Sequence, residues 1–180
     1  MIKTQLTKVP VILFLIILFI FFYLLIIDRN PRDIPSALLN KKAPEFKTES
    51  LIRDEIFSSK KHLNGQITLV NFFATWCKPC RDEHKYIKKF SENKKIKLVG
   101  INFKDDSEKT VKWLKKYGNP YSVIAIDKNG FIAIDWGVYG IPETFILNST
   151  GTIKFRHVGP ITKKIYSKID LIIKELGNNE

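Results

Sequence analysis

Two cysteines are all that this 180-residue chain contains, and they stand three apart as Cys77 and Cys80. That scarcity excludes a framework of structural disulfides, and a bridge between residues so close would close almost no loop and constrain the unfolded chain little. No second C-x-x-C and no H-x-x-x-H accompanies the pair, so a closed four-ligand zinc site has no second half. His84, four residues past Cys80, lies within reach on a helix, and Cu(I), which soft thiolates hold with few ligands, is the more open metal alternative. No glycine-rich phosphate loop and no internal repeat is present. Charge is missing altogether from Val9 to Ile27, and acid is missing from the short segment before it.

What the chain does have is Cys77-Lys78-Pro79-Cys80 placed directly after the apolar run Ile67 to Phe73. At a helix start, unpaired amide N–H groups and the helix dipole stabilise a thiolate on the first cysteine. Cys77 is therefore the candidate nucleophile. Cys80, one turn on, can attack a mixed disulfide on Cys77 and release the partner, which makes the pair a resettable two-electron switch. Pro79 suits a first turn, where its missing N–H breaks no hydrogen bond.

The uncharged run Val9 to Ile27 covers about nineteen positions at roughly 1.5 Å each, enough to cross a bilayer core. Lys3 and Lys8 precede it, which keeps residues 1–8 cytoplasmic and turns the remainder outward. The run exceeds a usual signal-peptide core and no small-x-small site follows it, so residues 9–27 are expected to be an uncleaved single-pass inner-membrane anchor with the rest of the chain in the periplasm. Residues 28–37, with Pro31 and Pro35, read as a stalk, and residues 38–180 as one domain. The net charge of +12 and pI near 9.6 come from lysines scattered through every segment, which reads as a solvated surface and not as a nucleic-acid site.

Along the domain, Ile67–Phe73 predicts a buried strand, Arg81–Phe90 a helix and Ile96–Asn102 a parallel neighbour. Asp106 or Ser107 caps a helix through Tyr117, stopped by Gly118-Asn119-Pro120. A strand Val123–Ile126, a turn at Asp127–Gly130 and an apolar segment to Trp136 follow. Thr144–Leu147 and Ile153–His157 form a hairpin, and Thr162–Leu176 a final amphipathic helix. The β-α-β-α order is an α/β signature.

The motif and this order resemble the thioredoxin superfamily. The runs N-F-F-A-T-W-C-K-P-C-R-D-E-H (Asn71–His84), G-I-N-F-K-D-D (Gly100–Asp106) and G-V-Y-G-I-P-E-T-F (Gly137–Phe145) are similar to one branch, the membrane-anchored thioredoxins of cytochrome c maturation of the CcmG or DsbE kind. Lys78-Pro79 departs from the Pro-Thr often found between the cysteines of that branch. The resemblance implies a thioredoxin-like fold, a central mixed sheet flanked by helices, with Pro142 in cis facing the cysteines and the backbone of Ile141 pairing with an extended substrate. It implies that Trp76 covers the sulfurs and that Val138 and Tyr139 line a substrate groove. It also implies that Glu83 and Glu143 stand in for the buried aspartate that many thioredoxins carry where this chain has Asn71. Acids near a thiol disfavour its thiolate and favour a reducing poise, with Lys78 opposing. Taken alone, Glu83 would equally read as a solvated helix residue near Arg81 or Lys88, and His84 and His157 as surface hydrogen-bonding residues. The implied activity is reduction of the disulfide in the C-x-x-C-H haem-attachment motif of apocytochrome c, or of a mixed disulfide with a maturation partner. A membrane electron donor of the DsbD or CcdA type would restore the pair, and no bound cofactor or metal is needed. The alternatives are a broader-range extracytoplasmic disulfide reductase and a copper-delivery protein; the latter would carry wider cysteine spacing and a dedicated distal histidine, which this chain lacks.

Overall fold

A computed structural model describes residues 8–26, 37–52 and 54–178. The leading residues 1–7 and nearly all of the stretch read as a stalk lie outside the described residues. The chain divides into two units, Met1–Ile34 and Pro35–Glu180. The first contains helix α1 (Lys8–Ile26), whose described side chains, from Val9 to Leu25, are apolar apart from Tyr23 and almost all half or more exposed.

The second unit is built on a five-stranded mixed sheet in the order β5-β4-β3-β6-β7. Its strands are β3 (Thr68–Phe73), β4 (Lys97–Phe103), β5 (Val123–Asp127), β6 (Glu143–Leu147) and β7 (Ile153–Val158). β3–β4 and β4–β5 pair in parallel, while β3–β6 and β6–β7 pair antiparallel. β3 is buried at every position, as expected for a central strand with both faces covered. Leu69 and Phe73 of β3 join a core with Ile87 and Phe90 of α3 (Lys78–Ser91), Trp113 and Leu114 of α4 (Ser107–Tyr117), and Ile169 and Ile173 of α6 (Lys163–Asn178). Val70 and Phe72 point the other way, onto Trp136, Phe145, and Ile132 and Ala133 of α5 (Phe131–Asp135).

The apolar segment ending at Trp136 is thus a one-and-a-half-turn helix, held at its start by Asp127, whose carboxylate accepts from Ile132 N (3.2 Å) and Ala133 N (2.9 Å). Asp106 caps α4 by accepting from Lys109 N at 2.8 Å. A two-stranded sheet, β1 (Lys47–Glu49) with β2 (Ile56–Ser58), and the short helix α2 (Ser59–His62) precede β3. Gly100 in β4 is required by packing: a Cβ there would lie 2.9 Å from Phe73 and 3.1 Å from Tyr121, whose rings stack with centroids 4.8 Å apart.

Candidate active site

β3 delivers the chain into a short turn, and Cys77 is the N-cap of α3, in extended backbone (φ −83°, ψ 108°). Its Sγ accepts from Cys80 N at 3.1 Å and is joined to Cys80 Sγ in a disulfide. The helix starts three residues earlier than the expected Arg81, because Pro79 fits the first turn and Cys77 supplies the cap. Both cysteines are buried in this oxidised state, 4 % and 3 % exposed, so exposure does not separate them. Position does: Cys77 holds the cap and lies 3.8 Å from Ile141 O, whereas Cys80 is inside the first turn. The Ile141–Pro142 bond is cis.

Under α3 lies a closed polar cluster. Glu83, one turn after Cys80, is 1 % exposed. Its Oε1 accepts from Asn71 Nδ2 (2.8 Å) and its Oε2 from Ile161 N (2.8 Å). Asn71 Nδ2 also donates to Thr144 Oγ1 (3.1 Å), and Asn71 Oδ1 accepts from Tyr121 OH (2.7 Å). Burial pushes the Glu83 carboxyl up to about 8 against the opposing pull of the Ile161 and Asn71 N–H groups. Burial and the nearby Glu83 charge raise Tyr121 well above its ordinary range, so it stays a neutral donor. Asn71 is a donor here where an aspartate would face Glu83 charge to charge.

Glu143 is placed differently from the expectation that its charge sits beside the sulfurs. It opens β6 on the face shared with Phe145, opposite the face that Thr144 shares with Asn71 and Glu83. Its Oε2 accepts from Arg156 Nε at 2.8 Å, and its Oε1 accepts from Tyr139 N at 3.3 Å. Arg156 also donates to Gly137 O (2.8 Å) and lies over the Tyr139 ring at 5.4 Å. The pair therefore fastens the Gly137–Gly140 loop, and its negative charge is spent on Arg156. Burial raises the Glu143 carboxyl above its ordinary value and Arg156 pulls it down. Both side chains are largely buried, 0 % and 9 % exposed, so Arg156→Met is expected to destabilise the protein by about 3–5 kcal/mol at neutral pH. The loss should shrink in acid, where Glu143 neutralises, and urea unfolding at two pH values would check it; an equal midpoint for variant and parent at neutral pH would remove the latch.

Trp76 is 59 % exposed; its Nε1 donates to Lys104 O (3.1 Å) and its ring contacts Phe103 at 6.4 Å. It stands as open apolar surface next to Cys77 in sequence and leans on the β4–α4 loop. Tyr139 is equally open at 61 %, while Val138 and Ile141 are half-buried. His84 is not a surface residue but is buried against Trp113, with Nε2 2.9 Å from Gly118 O. His157 Nε2 lies 3.3 Å from Pro160 O. A cavity of about 630 Å³ lies between the β1–β2 sheet, the end of β5 and α5, and neither cysteine lines it. Disulfide exchange needs the sulfurs, so the site is not this cavity but the turn that holds Cys77 against Ile141. No group of metal-binding side chains occurs among the described residues.

Sequence reasoning missed Arg156. The hairpin register sets it opposite Phe145, hence beside Glu143 on one face, but that register is visible only once the strands are paired.

The Redoxin family model matches residues 38–170. The thiol:disulfide interchange protein DsbE of Escherichia coli (strain K12) is 36% identical over 170 residues, covering 92% of this chain and 91% of that protein. The thiol:disulfide interchange protein CycY of Rhizobium leguminosarum bv. viciae is 42% identical over 134 residues, 74% of this chain and 72% of that protein. Among solved structures, a thiol:disulfide interchange protein of the thioredoxin family from Chlorobium tepidum TLS superposes with a TM-score of 0.59 at 26% identity, covering 80% of this chain and 98% of that one. A DsbF homologue from Corynebacterium diphtheriae gives 0.66 at 21% identity, 80% and 95% covered, a likeness of fold.

Proposed function

Since the chain belongs to the Redoxin family and, within it, to the DsbE group of thiol-disulfide oxidoreductases, we propose that it reduces the disulfide of the C-x-x-C-H haem-attachment motif of apocytochrome c, or a mixed disulfide of that motif with a maturation partner. The observation that supports this reading is the Cys77–Cys80 disulfide at the cap of α3, with Cys77 Sγ 3.8 Å from the carbonyl of Ile141, the residue before the cis-proline. A polypeptide can lie there with its backbone against Ile141.

In the reduced protein the Cys77 thiolate attacks one sulfur of the substrate disulfide. That bond breaks, one substrate cysteine leaves as thiolate and takes a proton, and a mixed disulfide to Cys77 remains. Cys80 loses its proton, attacks Cys77 Sγ, and the second substrate cysteine departs. Two electrons have passed to the substrate and the Cys77–Cys80 disulfide is formed. A dithiol donor, a membrane protein of the DsbD or CcdA type, reverses it. Reduced protein mixed with an oxidised C-x-x-C-H peptide, and with an oxidised peptide of the same spacing but without the motif's histidine and flanks, tests the substrate. Faster release of thiols from the first is expected; equal rates would favour a broader-range reductase.

The proposal includes an inner-membrane anchor with the catalytic domain in the periplasm. No helix among the described residues is long and apolar enough to cross a membrane. The anchor is read from the sequence, where no charge interrupts the run Val9–Ile27. The full chain is expected to stay with membranes through alkaline carbonate extraction and to be cut by protease added from the periplasmic side. Recovery of the full chain in the soluble cytoplasmic fraction would overturn both the anchor and its orientation.

A further inference from the structure

The segment that carries Cys77 into place is held by a loop that the chemistry above leaves unused. Asp105, between β4 and α4, gathers four donors on one carboxylate. Its Oδ2 accepts from Thr75 N (2.5 Å) and Asn102 Nδ2 (3.3 Å). Its Oδ1 accepts from Thr75 Oγ1 (3.0 Å) and Asp106 N (2.8 Å). Two of the four come from one residue, Thr75, two positions before the cysteine. The others tie the same carboxylate to β4 and to the cap of α4, and Asn102 is fully buried. The neighbouring residue completes the hold. Lys104 has φ +43°, a left-handed conformation that a residue with a Cβ rarely adopts. Its N–H donates to Asp127 O (2.9 Å) and its carbonyl accepts from Trp76 Nε1 (3.1 Å). An unfavourable backbone kept by bonds on both sides marks a position that its surroundings over-determine.

We propose that Asp105 is a positioning residue for Cys77: with the Lys104 carbonyl it clamps Thr75 and Trp76, and so fixes the approach of the nucleophile to the N–H groups at the start of α3. The proposal rests on the reading that Cys77 is the attacking thiol. A thiolate there gains from the Cys80 N–H aimed at its sulfur only while the turn keeps cap geometry.

The sign of the effect separates positioning from charge. A carboxylate acting only through its charge raises the pKa of a nearby thiol, so removing it would lower the Cys77 pKa and speed alkylation near neutrality. Loss of the clamp does the reverse. The test uses the reduced full-length protein, iodoacetamide as probe and peptide mapping of the label across a pH series. Asp105→Ala is expected to slow Cys77 alkylation at pH 7 on the order of tenfold and to move its profile to higher pH. Asp105→Asn keeps an oxygen for the Thr75 N–H and should retain most of the parent's rate. Thr75→Val, which spares the backbone bond and removes only Oγ1, should give a smaller drop in the same direction, and it carries the test should Asp105→Ala fail to fold. A folded Asp105→Ala with an unchanged or faster Cys77 reaction overturns the proposal, as does a Thr75→Val profile identical to the parent's. Preferential labelling of Cys80 in the parent protein would instead overturn the assignment of the nucleophile.

Discussion

A Cys80→Ser variant is expected to lose turnover entirely and to accumulate as a covalent adduct through Cys77. The first half of the exchange needs only the Cys77 thiolate, which sits at the helix cap with a backbone N–H directed at its sulfur. The second half needs a thiol one turn away, and serine oxygen cannot displace a sulfur. The mixed disulfide then persists until an external thiol cleaves it. Cys77→Ser, by contrast, should form no adduct at all, because the remaining thiol is within the first turn and not at its open edge. Non-reducing gels of detergent-solubilised whole cells, followed by mass spectrometry of the reducible species, read both results together. Adducts of Cys77→Ser with none of Cys80→Ser would reverse the roles. Adducts bearing a C-x-x-C-H peptide would support the proposed substrate, and a broad spectrum of unrelated partners would favour the wider reductase.

How much of this was legible beforehand depends on the range of the interaction concerned. The central strand, the hairpin at Asn148–Gly151 and the Asp106 cap rest on neighbours in sequence, and each lies within a residue or two of its expected place. The β1–β2 pair does not announce itself: its three-residue strands alternate no clear apolar face, and it is held by Thr48 Oγ1 donating to Ile126 O (2.7 Å) far along the chain. Glu83 is the instructive case. As a lone acid among lysines it reads as solvated, yet Cys80, Glu83, Ile87 and Phe90 fall at helical spacing on one stripe, and all four are buried. The stripe was written in the sequence; what it could not disclose was that Asn71 and Ile161, from β3 and from the loop before α6, supply the donors that make burial tolerable. Arg156 and Asp105 belong to the same class, since both act on segments that only the folded sheet brings to them.

Glu83→Gln is expected to slow the resolving step on the order of a hundredfold at pH 7, the scale of a lost general base. Cys80 must give up a proton as it attacks Cys77, and it does so in a buried place where water cannot readily take it. Glu83 is the carboxyl next along the same buried stripe; pushed up to about 8, it is mostly protonated at pH 7, so its ionised fraction is the base and resolution should speed as pH rises toward 8. On re-reduction the same proton can return to the departing Cys80 sulfur. Glutamine fills the space and keeps an oxygen for one N–H but cannot accept the proton. The variant should therefore accumulate mixed disulfide with substrate, and its resolution rate should lose the inflection near pH 8 that the parent shows. Stability carries a second signature of opposite direction. The folded carboxyl is raised above its ordinary 4.5, so between 4.5 and about 8 the folded state keeps a proton that the unfolded chain has released. The parent's stability should fall with rising pH across that window, at up to about 1.4 kcal/mol per pH unit, and Glu83→Gln should flatten the slope. Rapid-mixing kinetics and urea midpoints at pH 5 and 8 measure the two effects separately. A variant that resolves at the parent's rate while its stability slope flattens would leave Glu83 a buried structural acid, with the proton of Cys80 carried by another route.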